Sequence, residues 1–267
     1  MLRVKFLMRK NFIFVKSLTK VAVLESLTFR LDIIFGILSS MIWIGVPIIF
    51  FKVIYLNVNS IAGWSFKECL LLIGIYTLID SIMMAFLVKS MPRLENDIRE
   101  GTLDTILLKP INPQLFYFFG SIDFTQFLNG FLGLAIIFYA SRGFGFTATQ
   151  IFLASLASIL GGTIYYSLWF LWTISTFWFP TNFGRTDLFL SMIQISRYPS
   201  SIYKGTGSLL FNFLIPLGMV ASPVALILIR PEKEFIVIIQ FLIAVIFVVL
   251  DILVWKLGVR KYDGAGR

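Results

Sequence analysis

Between Gly143 and Gly184 the chain runs for 42 residues without one charged side chain. A bilayer span takes about 20 predominantly apolar residues, so this run exceeds what a single crossing uses. Other stretches behave alike. Ile33 to Phe51 is uncharged, Cys69 to Val88 and Leu115 to Ala140 carry one acid each (Asp80 and Asp123), and Phe235 to Trp255 is apolar enough for a last span. Backbone amides have no water to bond in hydrocarbon, so such segments must pair their own N–H and C=O groups, as helices do. The composition agrees: 58% of residues are hydrophobic and 14% charged, with a mean hydropathy of +0.89. A soluble domain has about 25% charged residues. The expected fold class is all-α, a polytopic membrane helix bundle of about six transmembrane helices.

Several chemistries are excluded. With no histidine and one cysteine there is no internal disulfide, no Cys/His metal constellation and no His-based catalytic triad. The phosphate loop G-x-x-x-x-G-K-[ST] is missing. Gly205-Thr206-Gly207-Ser208 only mimics it, because Lys204 stands on the wrong side and the glycine spacing is wrong. No metal, cofactor or catalytic residue is expected in this chain. The net charge of +9 does not point to nucleic acid, because the basic residues flank the spans. Asp80 and Asp123 are the intramembrane acidic candidates, since an ionisable side chain at depth is functional by default; the competing role is a hydrogen-bonded structural aspartate.

Residues 1–32 form an N-terminal amphipathic segment, with seven Lys and Arg alternating with Phe, Leu and Val. Such a stretch lies in the headgroup plane, and it lacks the h-region and cleavage site of a signal peptide. The transmembrane domain covers 33–255 and a basic tail 256–267. Gly45-Val46-Pro47 is a candidate bend in the first span, and the fourth span is placed at about 150–179. The fifth crossing has two solutions: Ser208 to Ile229 crosses despite Pro216 and Pro223, or Asp187 to Tyr203 crosses and 208–229 dips in and returns. Charge sets the orientation. With both termini inside, Lys and Arg number 18 inside and 5 outside in the simple reading, or 16 and 7 with the re-entrant form. Either way residues 89–113 face the cytoplasm.

Pro92 to Pro113 is the dense island of mixed charge between these apolar runs. Pro92 suits a first helical turn, Leu94 and Ile98 share a face, and Gly101 can end the helix in a left-handed cap. Thr102 can cap a second short helix whose Leu103, Ile106 and Leu107 share a face, ended by Lys109-Pro110. The run Asp97-Ile98-Arg99-Glu100-Gly101-Thr102-Leu103-Asp104, followed by Leu107-Leu108-Lys109-Pro110, resembles the cytoplasmic loop of permease subunits of ABC-2-like exporters. Weaker echoes are Phe29-Arg30-Leu31-Asp32, Arg197-Tyr198-Pro199 with Pro216 and Pro223, and Lys261-Tyr262-x-Gly264-Ala265-Gly266.

The resemblance implies a coupling-helix loop contacting a separate ABC ATP-binding subunit, present in two copies and holding ATP and Mg. It makes Glu95, Asp97, Ile98, Arg99, Glu100, Gly101, Leu103, Asp104, Ile106, Leu107 and Lys109 the ATPase-coupling residues, with the apolar faces filling a groove of that subunit. It also implies a second permease, identical or homologous, in the inner membrane of a bacterial cell, and it favours the re-entrant form of 208–229. The competing class is a proton-coupled secondary transporter using Asp80 and Asp123, against which the chain shows no inverted repeat.

Overall fold

The computed structural model describes residues 30–181 and 184–262. The amphipathic segment before Arg30 lies outside the described residues, and so do the terminal glycines of the tail echo. Helices carry nearly all of the described chain, and a lone antiparallel bridge joins Ile61 and Trp64.

The first crossing is α1 (Arg30–Tyr55), which stays helical through Pro47. The return is α2 (Phe66–Leu87), opened by a capping box in which the Ser65 amide donates to Glu68 Oε2 at 2.6 Å and the Glu68 amide to Ser65 Oγ at 3.4 Å. After two residues with helical dihedrals it continues as α3 (Ser90–Arg99). A turn at Gly101 leads to the single-turn α4 (Asp104–Leu107). The third crossing is broken: α5 (Pro113–Gly120) starts on an Asn112 cap with Pro113 in its first turn, then α6 (Gln126–Ser141) follows. The fourth is α7 (Ala148–Ile174), whose capping box uses Thr147 and Gln150.

The fifth crossing is α8 (Arg185–Ile193) extended by a 3₁₀ turn, Gln194–Arg197. Its two ends settle its course. Arg185 Nε pairs with Glu95 Oε1 of α3 at 3.8 Å. At the far end Ser201 Oγ accepts from Trp64 Nε1 at 2.9 Å, beside the α1–α2 connection. The chain has therefore changed sides by Tyr203, the earlier of the two solutions.

Residues 206–229 then enter and return. A turn of helix α9 (Thr206–Leu209) widens into a π-helix at Leu210–Leu214, the chain reverses around Pro216, and α10 (Ser222–Ile229) leads back. Arg230 ends on the same side as Trp64, donating to the Gly63 carbonyl. Irregular backbone at this depth must be satisfied by protein, and the side chains that do so are glutamines. Gln240, fully buried in α11 (Ile236–Lys261), donates to Met219 O at 2.8 Å and Ala157 O at 3.0 Å. Gln150 donates to Ile227 O and Leu228 O at 3.3 and 3.2 Å, ending α10. Ser200 N donates to Ser222 Oγ at 2.9 Å. Gly161 of α7 passes directly against the Val220 carbonyl, an approach that a Cβ would block.

Four of these helices are long and apolar enough to cross a membrane by themselves: those within Leu38–Tyr55, Phe66–Arg99, Ala148–Phe177 and Pro231–Lys261. The broken third crossing and α8 complete six. Packing is uneven. Only 11% of the α1 span is buried against 61% for α2, so α1 offers a nearly bare apolar flank.

Candidate functional site

Two features stand out, both organised by α2 and α3. The first is the platform at the end of the bundle carrying residues 89–113. Gly101 adopts φ 77°, the left-handed conformation expected of a helix stop. Thr102 does not cap α4: its hydroxyl donates to Asp97 Oδ1 at 2.8 Å, and Leu103 occupies the cap position. Asp97 is the knot of the platform. It also accepts from the Tyr117 hydroxyl on α5 at 2.7 Å, pairs with Arg93 Nε at 3.9 Å, and its carbonyl receives the Leu103 amide at 3.1 Å.

Leu94, Ile98, Leu103 and Ile106 are buried in the chain's own core, and Leu107 packs at its edge. This corrects the expected geometry of docking, since Leu103 and Ile106 are not free to fill a partner's groove. The exposed side chains of the platform include Arg93, Asn96, Arg99, Glu100, Thr102, Thr105, Leu108 and Lys109, with Asp104 half-buried; Leu108 is 86% exposed. Lys109 Nζ stands 4.7 Å from the centre of the Phe116 ring.

Glu95 is different again. It is buried, and its partner Arg185 also donates to Ser175 Oγ at 3.2 Å, to Thr176 Oγ1 and to the Phe179 carbonyl. Trp172 Nε1 in turn donates to Arg185 O at 2.9 Å. This cluster ties α3 to the end of α7 and the start of α8. Sequence reasoning missed Arg185, because nothing local to it announces a partner ninety residues away. At the tail, burial and the Asp104 carboxylate push the Tyr262 phenol above its ordinary value, so it stays protonated beside α4.

The second feature is a polar track between α1 and the rest of the bundle, partly open along α1, where Ser39 and Trp43 are exposed. Near the platform end a small cavity is lined by Gly36, Ser39 and Ser40 of α1 and by Thr125, Gln126 and Asn129. Ser39, Ser40, Gln126 and Asn129 also line the next cavity, which continues to Trp43, Tyr76, Asp80 and Arg197 at mid-depth. Beyond it lies an aromatic cluster. Phe51 is 5.7 Å from Tyr198 and 6.4 Å from Tyr55, and Tyr55 is 5.7 Å from Phe66.

The two acidic candidates are not brought together. Asp80 lines the track and its Oδ1 accepts from Tyr165 and Tyr76 at 2.8 and 3.2 Å. Asp123 sits in the break between α5 and α6, accepting from the Thr125 hydroxyl and amide at 2.7 and 3.1 Å and pairing with Lys89 at 3.8 Å. It is a helix-start residue near the platform end. A third acid, Asp251 of α11, is 3% exposed and faces α7 near Ser167. The rule that flagged Asp80 applies equally to it, and the sequence reading passed over it.

Neither the curated proteins nor the solved structures contain a match to this chain. Residues 41–266, however, match the family described as ABC-2 family transporter protein. That range takes in five of the six crossings whole, most of α1, and the platform, so the chain belongs to the ABC-2 transporter family, as a multi-pass membrane permease of an ABC transporter.

Proposed function

We propose that this chain forms half of the translocation path of an ATP-driven exporter and is powered by a separate ABC ATP-binding subunit. The observation that carries this reading is the polar track, two adjoining cavities that share Ser39, Ser40, Gln126 and Asn129 and lead from the Thr125 end to Asp80 and Arg197 at mid-depth. A polar path that begins on the side where an ATPase would dock fits an exporter that loads its cargo from that side. Two permeases, identical or homologous, would meet across the bare flank of α1, beside which the track runs, and would bring two copies of the ATPase. ATP and Mg belong to that subunit. Its closure on ATP would move the two platforms and shift the bundle from inward- to outward-open by differential contact energy.

The charge distribution supports a cytoplasmic platform and cytoplasmic termini in a bacterial inner membrane. With the crossing at 185–203 and Arg197 at mid-depth, Lys and Arg number 16 on the platform side and 6 on the other. Asp80 and Asp123 do not face each other, so their geometry offers a proton-coupled carrier no paired acids. The test is coexpression with a candidate ABC ATP-binding subunit from the same genome. A stoichiometric complex should copurify, and its vesicles should export cargo with ATP after the proton gradient is collapsed. Neutralising the ATPase's catalytic carboxylate should abolish export. Export that follows the proton gradient and ignores that mutation overturns the proposal.

A further inference from the structure

The middle of the track holds two opposite charges that attract each other through Tyr76 without forming an ion pair within 4 Å. Asp80 uses Oδ1 for both tyrosine hydroxyls and remains half-buried, and its Oδ2 accepts no hydrogen bond among the described residues. Arg197 is 9% exposed, with its guanidinium 5.5 Å from the Trp43 ring centre and 5.2 Å from that of Tyr76. Among the described residues it forms no ion pair within 4 Å. A guanidinium has five N–H donors, and withdrawing it from water without a carboxylate is unfavourable. Intramembrane charges of this kind face a bundle interior or cavity and mark substrate paths.

Both charges line one cavity of about 250 Å³, with Ser39 and Asn129 as neutral neighbours. That volume suits a headgroup or an amino-acid-sized unit, not a large ring system. The cavity's fixed charge sums to zero. A ligand with net charge would satisfy one of the two groups, leave the other unpaired and repelling it, and forfeit its own hydration. A ligand carrying both signs pairs each end and adds no net charge at depth. We infer that this cavity recognises a zwitterionic group, its ammonium on Asp80 Oδ2 and its carboxylate or phosphate on Arg197. The inference rests on the permease reading and names the chemistry of its cargo. The group could belong to a lipid-like amphiphile or to a small soluble zwitterion.

Charge-changing variants test this by a gain as well as a loss. The permease–ATPase complex, purified in a neutral maltoside detergent, is titrated with lysophosphatidylethanolamine, lysophosphatidylglycerol, dodecyltrimethylammonium and glycerophosphoethanolamine. The change in tryptophan emission on binding is the readout, with Trp43→Phe as the blank. The wild type should bind a zwitterionic probe at least tenfold tighter than the anionic or cationic one. If glycerophosphoethanolamine displaces the lysolipid, the source is soluble; if it does not, the source is an amphiphile. Asp80→Asn should turn the preference to lysophosphatidylglycerol, and Arg197→Gln should turn it to dodecyltrimethylammonium. Misfolding cannot produce such a reversal. The same ranking of probes in all three proteins, or an emission change that persists in Trp43→Phe, overturns the inference. ATPase retention in the same samples separates its failure from failure of the permease reading.

Discussion

Leu108 and Leu103 stand five residues apart in the loop and should fail in opposite ways when changed to aspartate. Leu103 has no exposed surface, whereas Leu108 is 86% exposed on the outer side of the platform. Leu103→Asp places an unpaired carboxylate in the core beside Ile98 and Ile106. One-sided burial of a charge costs several kcal/mol, enough to unfold the platform or lose the protein. Leu108→Asp leaves the permease alone, because the side chain buries almost nothing within the chain. If Leu108 enters a pocket of the ATPase, it contributes about 1.5–3 kcal/mol of burial there. Its loss then weakens docking by roughly 10- to 150-fold. The assay is titration of purified ATPase against detergent-solubilised permease, with thermal melting and size-exclusion of the permease alone as the stability readout. Leu108→Asp should melt and elute as wild type does while losing ATPase affinity and stimulated hydrolysis. If it binds the ATPase with unchanged affinity, the platform's outer face is not the docking surface.

The buried Glu95–Arg185 pair should behave as a lock: Glu95→Gln or Arg185→Met alone should destabilise by about 3–5 kcal/mol, and a double apolar replacement should recover much of that, as read by thermal melting. A double variant no better than the singles would place the cost in packing instead of charge. Gly161→Ala should destabilise by about 1–3 kcal/mol through collision with the Val220 carbonyl, whereas Gly45→Ala, with nothing within 4 Å of the added Cβ, should be neutral or stabilising by up to about 1 kcal/mol. Equal melting shifts in the two would mean that the hairpin does not lean on α7.

Much of this architecture is legible in the residues alone, for reasons that also mark where reading stops. Long apolar runs announce helices because hydrocarbon leaves no alternative, and Gly101 announces a stop because few other residues tolerate its φ. The fifth crossing is hidden by Arg185, Asp187 and Arg197, which spoil its hydropathy. Two of them are tolerated because Glu95, Trp43 and Tyr76 meet them from distant parts of the chain. Thr102 fits a cap by local rule, yet Asp97, five residues back, draws its hydroxyl away. The apolar faces of α3 and α4 are correctly read as faces, but periodicity cannot say whether the surface that covers them belongs to the same chain. Here it does. The track needed partners from α1, α2, α6 and the α8 extension, and no local motif encodes such a convergence.

The near-continuity of α2 and α3 has a mechanical consequence. From Phe66 to Arg99 the helix is one rod of 34 residues, about 51 Å long at 1.5 Å per residue. Asp80 in the cavity and Glu95 at the platform are fifteen residues apart on it, about 22 Å along the axis and about 60° apart around it. No hinge loop separates them, so there is little slack to absorb a push at one end. A tilt of about 5° carries Asp80 through an arc of roughly 2 Å relative to Glu95, comparable to the difference between a tight and a broken hydrogen bond. The phase between the two side chains is likewise set by residue count: one inserted residue near Val88 would turn them about 100° out of step. If the platform couples to an ATPase and the cavity holds cargo as proposed, one shaft carries both events, and its timing depends on length as strictly as on chemistry.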